Sequence, residues 1–446
     1  MANYLPKDTI YLETSGGGLA VSPSHAVYCA IFNHEKNLFI QFLHDKTEEM
    51  THALSNELIN RLDQHGFFNS PRPLRPSQHL LQFQLTNACN LRCVYCSAES
   101  GCARKNEISF HDVKRVSREV FSLDPKTSIS FTGGEPLLVP WLFDAIDFAE
   151  KLTNSKAGLL SNLLLLKNDD ELCDRIAEHI KHGTEVFMSI SGCDRKTCDK
   201  LSGKPAFDDA LIVIHKLANR GALPQLDVML SAPDSAATIH AFADFRRALP
   251  DDIKLTIGTI YPCGRETGEH TFNSEDELQS VLDALAFEGG VSIPAPRQSP
   301  LTHRRKACTC IENQNLFIRS DGTIFSCFKM IEPLGHISEN IAALLKRQRQ
   351  THPLAAELAM CKNCPFLNMC AGGCRADNLI LQRSSNAPIC GQWKKKLIAD
   401  MLFEDRPYVF DWPVQRLLSE AKKRGIDTPP FIITSFNTNG MFLINS

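Results

Sequence analysis

No apolar run in the sequence approaches the roughly 20 residues that span a bilayer. The longest candidate, residues 159–166, contains Ser161 and Asn162. The start shows no basic stretch followed by an apolar one, so no secretory signal is legible. There is no basic excess, with 48 Lys and Arg against 51 Asp and Glu, which argues against a general nucleic-acid binder. Nor is the chain poor in apolar residues, at 43%, as a disordered chain would be. No Walker-type phosphate loop, carboxylate dyad or Ser/His/Asp array is found, and the runs Lys394-Lys395-Lys396 and Lys422-Lys423-Arg424 read as solvated faces. What remains is a cytoplasmic globular protein of 446 residues, enough for about three domains, with no membrane and no nucleic acid among its expected partners.

The abundant residue is cysteine, with 17 copies. A reducing compartment gives little reason to hold so many as disulfides. Cys29, Cys102, Cys173, Cys193, Cys198 and Cys263 are scattered and read as small buried hydrophobes. Cys89, Cys93 and Cys96 form one cluster and eight more crowd between Cys308 and Cys390; these read as metal ligands.

Residues 1–75 read as a small N-terminal module. Alternating apolar residues at Thr9–Leu12 and Leu19–Val21 flank Ser15-Gly16-Gly17-Gly18 and predict a hairpin, and Asn56–Leu62 has helical spacing with Gly66 as its stop. The proline-bearing stretch Ser70–Pro76 reads as a linker. Six strand–helix repeats follow, with strands expected at Leu81–Leu85, Ser128–Phe131, Gly158–Leu160, Glu185–Ile190, Gln225–Leu230 and Lys254–Gly258 and helices such as Trp141–Leu152 and Phe207–Arg220. Such repeats imply an α/β fold with a parallel sheet whose C-terminal loops carry the chemistry. After about residue 300 the alternation stops and cysteine-bearing loops take over.

Cys89-Asn90-Leu91-Arg92-Cys93-Val94-Tyr95-Cys96 is a C-x3-C-x2-C loop. Three thiolates can hold three irons of a cubic cluster and leave the fourth open, whereas a closed structural site normally uses four protein ligands; a zinc site completed by a distant residue is the alternative on spacing alone. With Tyr95 before the last cysteine and Gly133-Gly134-Glu135-Pro136 after the second strand, the stretch of about residues 80–290 resembles the radical S-adenosylmethionine (SAM) enzymes. The resemblance implies a partial (β/α)6 TIM-like barrel and a [4Fe–4S] cluster on Cys89, Cys93 and Cys96 whose free iron chelates S-adenosylmethionine. It implies cofactor contacts at Gly133, Gly134 and Glu135 for the methionine amine and at Tyr95 for the adenine. Ser189 lies in the place of the family's SxDG stretch, as a ribose or carboxylate contact. Ser202 stands where relatives often carry an Arg before glycine, which makes Lys200 the substitute cationic partner; a strand-end hydroxyl and a solvated lysine are the plain alternatives for Ser189 and Lys200.

Downstream, Cys308-Thr309-Cys310, Gly322–Cys327, Cys361-x2-Cys364-x5-Cys370-x3-Cys374 and Cys390 resemble the cysteine-rich SPASM extension of such enzymes. By that resemblance Cys327 and Cys374 join one or both of Cys308 and Cys310 on a first auxiliary [4Fe–4S] cluster. Cys361, Cys364, Cys370 and Cys390 hold a second, giving three clusters in all; a zinc ribbon is the alternative for the four-cysteine block. The divisions expected are 1–75 for the N-terminal module, weakly winged-helix-like and suited to leader-peptide recognition or to a generic cap, 76–300 for the barrel, 301–395 for the SPASM domain and 396–446 for an extension. The function implied is a peptide maturase that abstracts hydrogen from a ribosomally made precursor through a 5′-deoxyadenosyl radical and installs a carbon–carbon cyclophane or thioether cross-link. Its partners are a precursor peptide with a leader and a low-potential donor, flavodoxin or ferredoxin. A sulfatase-maturase-like oxidase is demoted because Phe328, which cannot accept a proton, stands where those enzymes place an Asp. A non-catalytic iron–sulfur electron carrier accounts for the later cysteines but not for the open loop with its diglycine.

Overall fold

The computed structural model describes residues 4–45, 54–76, 78–260, 264–272, 275–289, 301–412, 414–428, 433–436 and 442–444. The N-terminal module is a three-stranded antiparallel sheet, β1 (Ile10–Thr14), β2 (Gly17–Ser22) and β3 (Val27–Ile31), with helices Lys36–Asp45 and Asn56–Gln64. The hairpin turns through Ser15 and Gly16, and Thr14 pairs with Gly17. The third strand is an addition to the expected hairpin. Its five residues follow a proline turn in which Asp8 accepts hydrogen bonds from the Ser22 hydroxyl (2.7 Å) and the Ser24 amide (2.6 Å).

β2 is buried on both faces. Ala20 packs with Val27, Cys29, Phe39 and Leu58 under the module's own helices, whereas Leu19 and Val21 pack with Trp393, Leu397 and Met401. The second set belongs to helix Gln392–Phe403, which runs across position 395. Asp400 of that helix is buried and accepts hydrogen bonds from the amide (2.7 Å) and hydroxyl (3.0 Å) of Ser15. The proline-bearing stretch is pinned as well: Arg304 donates to Pro73 O at 2.8 Å and Arg75 donates back to Arg304 O at 3.0 Å.

The six expected repeats form β4 (Leu80–Gln84), β5 (Ser128–Thr132), β6 (Gly158–Ser161), β7 (Glu185–Ile190), β8 (Gln225–Leu230) and β9 (Leu255–Thr259), paired in chain order and all parallel. Apolar residues on one face, among them Leu81, Phe83, Leu159, Val186, Met188, Leu226 and Val228, join the helices in a single core. Period-two alternation turns Phe187, Ser189, Asp227 and Met229 to the other face, where Ser189 is exposed.

The sheet does not end with the repeats. β10 (Leu316–Ile318) pairs parallel to β4, and β11 (Thr323–Phe325) and β12 (Gly335–His336) extend it to nine strands in the order β12-β11-β10-β4-β5-β6-β7-β8-β9. The cysteine-bearing region thus shares a sheet with the six repeats, and its strands of two or three residues are too short to show periodicity. Of the scattered cysteines, Cys29, Cys173, Cys193 and Cys198 are buried as expected; Cys102 is exposed, because it lies on a surface loop, and Cys263 falls outside the described residues.

His79, which leads into β4, is 2% exposed, and burial depresses its imidazole to about 4 from 6.5. Between those values the unfolded chain binds a proton that the folded chain refuses, so this stability is full above pH 6.5 and is lost as pH falls towards 4. His79→Gln should lessen by about 2 kcal/mol the stability lost between pH 7 and pH 5, read from denaturant midpoints of both proteins. An unchanged acid sensitivity would exclude His79 as its source.

Candidate functional site

β4 and β5 are in register through Gln84 and Thr132, so their loops leave the sheet at one level. The pairing continues past the strands: Leu85 donates to Thr132 O (2.8 Å), Gly134 to Thr86 O (2.7 Å) and Glu135 to Ala88 O (2.8 Å). A Cβ on Gly134 would lie 2.2 Å from Ala88 O, so the approach requires glycine. The residue after Ala88 is Cys89, and the diglycine is thereby fixed beside the cysteine loop. Glu135 is fully buried, and its carboxylate accepts from the Ser161 hydroxyl (2.6 Å), the Leu137 amide (3.0 Å) and the Asn162 amide (2.9 Å). Both oxygens are thus committed to tying the β5 loop to the β6 loop. Burial pushes this carboxyl up, and the three hydrogen bonds act against the shift.

The cysteine loop is held from three directions. Cys89 donates to Gly101 O (3.0 Å), and Arg92 and Val94 donate to Ser202 O (3.0 Å) and Leu201 O (2.9 Å) at the end of helix Arg195–Ser202. From beyond β9, Arg265 donates its amide to Cys96 O (3.1 Å) and its guanidinium to Cys93 O (2.9 Å) and Ser100 O (2.8 Å). Gly264, at φ +64°, makes that contact possible, since a Cβ there would stand 2.3 Å from Cys96 O.

The sulfurs themselves are prepared for negative charge. The Leu91 amide points at Cys89 Sγ and the Ser100 amide at Cys96 Sγ, each at 3.4 Å. Burial lifts the Cys89 thiol, and lifts Cys93 to about 12, while the Arg265 charge acts the other way on Cys93. As free thiols Cys89 and Cys93 stay protonated at neutral pH. As metal ligands they find amide donors and a guanidinium in place, and these favour the thiolate.

Tyr95 is tethered through its hydroxyl to Ser191 Oγ at 2.7 Å, and Ser202 donates to the same oxygen at 3.0 Å. Burial holds its phenol well above the usual range. Ser189 lies on the inner face opposite Asp227, whose carboxylate accepts from Thr256. Lys200 is not brought to the cysteine loop: its ammonium is bonded to Asp234 at 2.9 and 3.1 Å and half exposed. Arg265, Ser191 and Ser202 were not legible as site residues; only Gly264 beside Arg265 hints at a close backbone approach.

The later cysteines act on one another. Cys327 raises the Cys310 thiol and Cys310 lowers that of Cys327, with the charges of Cys308 and Cys374 acting on Cys310 too. Burial lifts Cys361 to about 11, and Cys370, Cys364 and Cys390 act in the same direction. Cys308, Cys370 and Cys374 line one cavity of about 220 Å³ with Asp377 and Lys394. Among the described residues no three His, Cys, Asp or Glu side chains converge on a single ion.

Residues 83–244 match the family model of the radical SAM superfamily. The chain carries a radical SAM domain. Over 402 residues it is 22% identical to the antilisterial bacteriocin subtilosin biosynthesis protein AlbA of Bacillus subtilis, covering 84% of this chain and 85% of AlbA. The mycofactocin maturase MftC of Mycobacterium tuberculosis is 26% identical over 212 residues, 47% of this chain and about half, 52%, of MftC. Among solved structures, Streptococcus suis SuiB superposes with a TM-score of 0.51 at 14% identity, over 86% of this chain and 98% of SuiB; at that identity the likeness is one of fold.

A radical SAM domain binds a four-iron cluster and S-adenosylmethionine, and the residues present fit the cluster. Cys89, Cys93 and Cys96 lie on one loop, with N–H donors aimed at two sulfurs and a guanidinium near the third. Among the glycines of residues 83–244, Gly134 is the one whose Cβ would meet a neighbour most closely. Gly134→Ala should lower the melting temperature of the apoprotein, because the Asn87–Ala88 backbone must move, and should cut S-adenosylmethionine cleavage by about 100-fold at a temperature where the variant stays folded, the scale of a misplacement near 1 Å. Wild-type cleavage in that variant would show that the pairing with Ala88 does not position the cofactor.

Proposed function

We propose that the chain is a radical SAM maturase of a ribosomally made peptide. The observation that carries this reading is the extent of the likeness to AlbA, which covers 84% of the chain and so runs far outside residues 83–244. AlbA and MftC are named for bacteriocin biosynthesis and mycofactocin maturation, and SuiB has been solved with S-adenosylmethionine and with its precursor peptide SuiA.

In this reading residues 76–300 hold the radical chemistry and Cys89, Cys93 and Cys96 hold its cluster. When bound and reduced, that cluster cleaves S-adenosylmethionine and supplies a 5′-deoxyadenosyl radical that abstracts hydrogen from the peptide. The chain's own residues position and exclude. Gly133 and Gly134 set the rim beside the cysteines, Glu135 locks that rim to β6, Tyr95 fixes the loop to Ser191, and Arg265 straps it from above. Ser189 and Asp227 present polar groups on the inner face, where a cofactor ribose or the peptide would lie. Lys200 serves the wall through Asp234.

Cys308, Cys310, Cys327 and Cys374 hold a first auxiliary cluster within 301–395, and Cys361, Cys364, Cys370 and Cys390 a second. Held there, such clusters would supply an acceptor for the electron left when a substrate radical closes a cyclophane or thioether cross-link. Residues 1–75 grip the leader by strand addition to a sheet edge, and helix Gln392–Phe403 forms the floor on which that module stands. A flavodoxin or ferredoxin supplies the low-potential electron, and the setting is cytoplasmic; among the described residues no helix is long and apolar enough to cross a membrane.

The anaerobically reconstituted protein should bind about twelve irons and, with dithionite, form 5′-deoxyadenosine. Replacing Cys89, Cys93 and Cys96 together by Ala should leave about eight irons and abolish cleavage. Undiminished cleavage in that triple variant would sink the radical reading.

A further inference from the structure

Beyond β9 the chain buries a carboxylate and an imidazole against each other. Glu266 is 2% and His270 7% exposed. Polar groups taken out of water cost free energy unless they are hydrogen-bonded, and this carboxylate is bonded at both oxygens. Oε1 accepts from the Gly268 amide (2.7 Å) and the His270 amide (3.0 Å), and Oε2 accepts from His270 Nδ1 (2.9 Å). Residues 266–270 are thereby closed into a loop around the side chain that begins it.

Each end of that loop is attached to a different part of the site. Arg265, the residue before Glu266, donates to the carbonyls of Cys96, Cys93 and Ser100. At the other end the Ala232 amide, just past β8, donates to His270 O at 3.0 Å. Asp234 follows two residues later and accepts from the Ser231 hydroxyl (2.7 Å) and from Lys200 (2.9 Å). Lys200 lies in helix Arg195–Ser202, whose last carbonyls receive the Arg92 and Val94 amides. The cysteine loop is thus gripped by two pieces of chain that are joined to each other through residues 231–234. Of the two joints, the Lys200–Asp234 pair has a half-exposed lysine, and such pairs contribute little. The buried joint between Glu266 and His270 is the firmer one.

We infer that Glu266 and His270 are positioning residues for the cluster on Cys89, Cys93 and Cys96: their clasp sets the place of Arg265 and, through it, of the Cys93–Ser100 half of the loop. The inference rests on the radical SAM reading of that loop and on nothing about the peptide. Among the described residues neither side chain forms a hydrogen bond to a cysteine, so both act through Arg265. Glu266→Gln keeps an oxygen for the two amides and an amide group for the imidazole, and His270→Asn keeps a donor near the place of Nδ1. Glu266→Ala removes all three bonds, whereas His270→Ala removes only the one from Nδ1.

The test has two readouts on the full-length protein. The first is amide hydrogen exchange of the apoprotein. In Glu266→Ala the amides of Arg265, Cys96 and Glu99 should exchange about tenfold faster than in wild type, the scale of one hydrogen bond lost, while Arg92 and Val94, held by helix Arg195–Ser202, should be unmoved. The second is the reconstituted enzyme, with iron counted and the electron paramagnetic resonance of the reduced radical cluster recorded with and without S-adenosylmethionine. Glu266→Ala should keep its iron yet show an altered signal with S-adenosylmethionine and cleavage lower by about 100-fold, the scale of a misplacement near 1 Å. Glu266→Gln and His270→Asn should restore most of both readouts. Where the melting curve shows Glu266→Ala unfolded, His270→Ala is read in the same two ways and should shift both in the same direction by less. Faster exchange confined to residues 266–271, with Cys96, Glu99 and cleavage as in wild type, would overturn the inference. Equal losses in Glu266→Gln and Glu266→Ala would overturn it too, because the hydrogen bonds would then not be what holds Arg265. A wild type that forms no 5′-deoxyadenosine contradicts the cluster reading and the inference with it; failure of the clasp alone is distinct, since wild type is then active and Glu266→Ala matches it.

Discussion

The candidate site depends on one close backbone approach, Gly134 against Thr86 and Ala88. Parallel pairing of β4 with β5 brings two loops to the same level, and the extra ladder bonds beyond the strands lock their relative height. Because Cys89 follows Ala88, the placement of the first sulfur is inherited directly from the sheet. Glu135 then transmits the same constraint to β6 through Ser161 and Asn162. A side chain on Gly134 would spread both loops, and every later contact of the cysteine loop, with Ser202, Leu201 and Arg265, would have to follow.

Charge is the second constraint. Burial favours neutral thiols, and the first cysteine loop supplies donors that would favour the thiolate: backbone amides at Cys89 and Cys96 and the Arg265 guanidinium beside Cys93. Arg265 reaches the loop from beyond β9, far away in sequence. The later cysteine-bearing region is tied mechanically to the same loop, since β10 pairs with β4, whose C-terminal end leads into Cys89.

Much of the parallel sheet was legible because its strands are four to six residues of apolar sequence bounded by helices of clear period. Glu185–Ile190 and Gln225–Leu230 were located to the residue. β3 was not, since Val27–Ile31 is an unbroken apolar run with no alternation, nor was the β10–β12 extension, whose strands of two or three residues show no period and whose link to the sheet, β10 on β4, joins segments far apart in sequence. At the site, cysteine spacing and the diglycine could be read because chemistry fixes residue type there. Lys200 could not be placed from sequence, because whether a lysine reaches a cofactor or an aspartate is decided by the position of Asp234 on another repeat. Arg265 was missed for a related reason: an arginine shows its role only once the carbonyls around it are assembled.

The central claim is that the protein takes hydrogen from a peptide. Its most direct test is anaerobic turnover with S-adenosylmethionine, reductant and a deuterated peptide expressed from a short reading frame encoded beside this one. Deuterium should appear in 5′-deoxyadenosine in step with a mass change in the peptide. A modified peptide with no deuterium transferred, or steady 5′-deoxyadenosine formation that leaves every such peptide unchanged, would contradict the account.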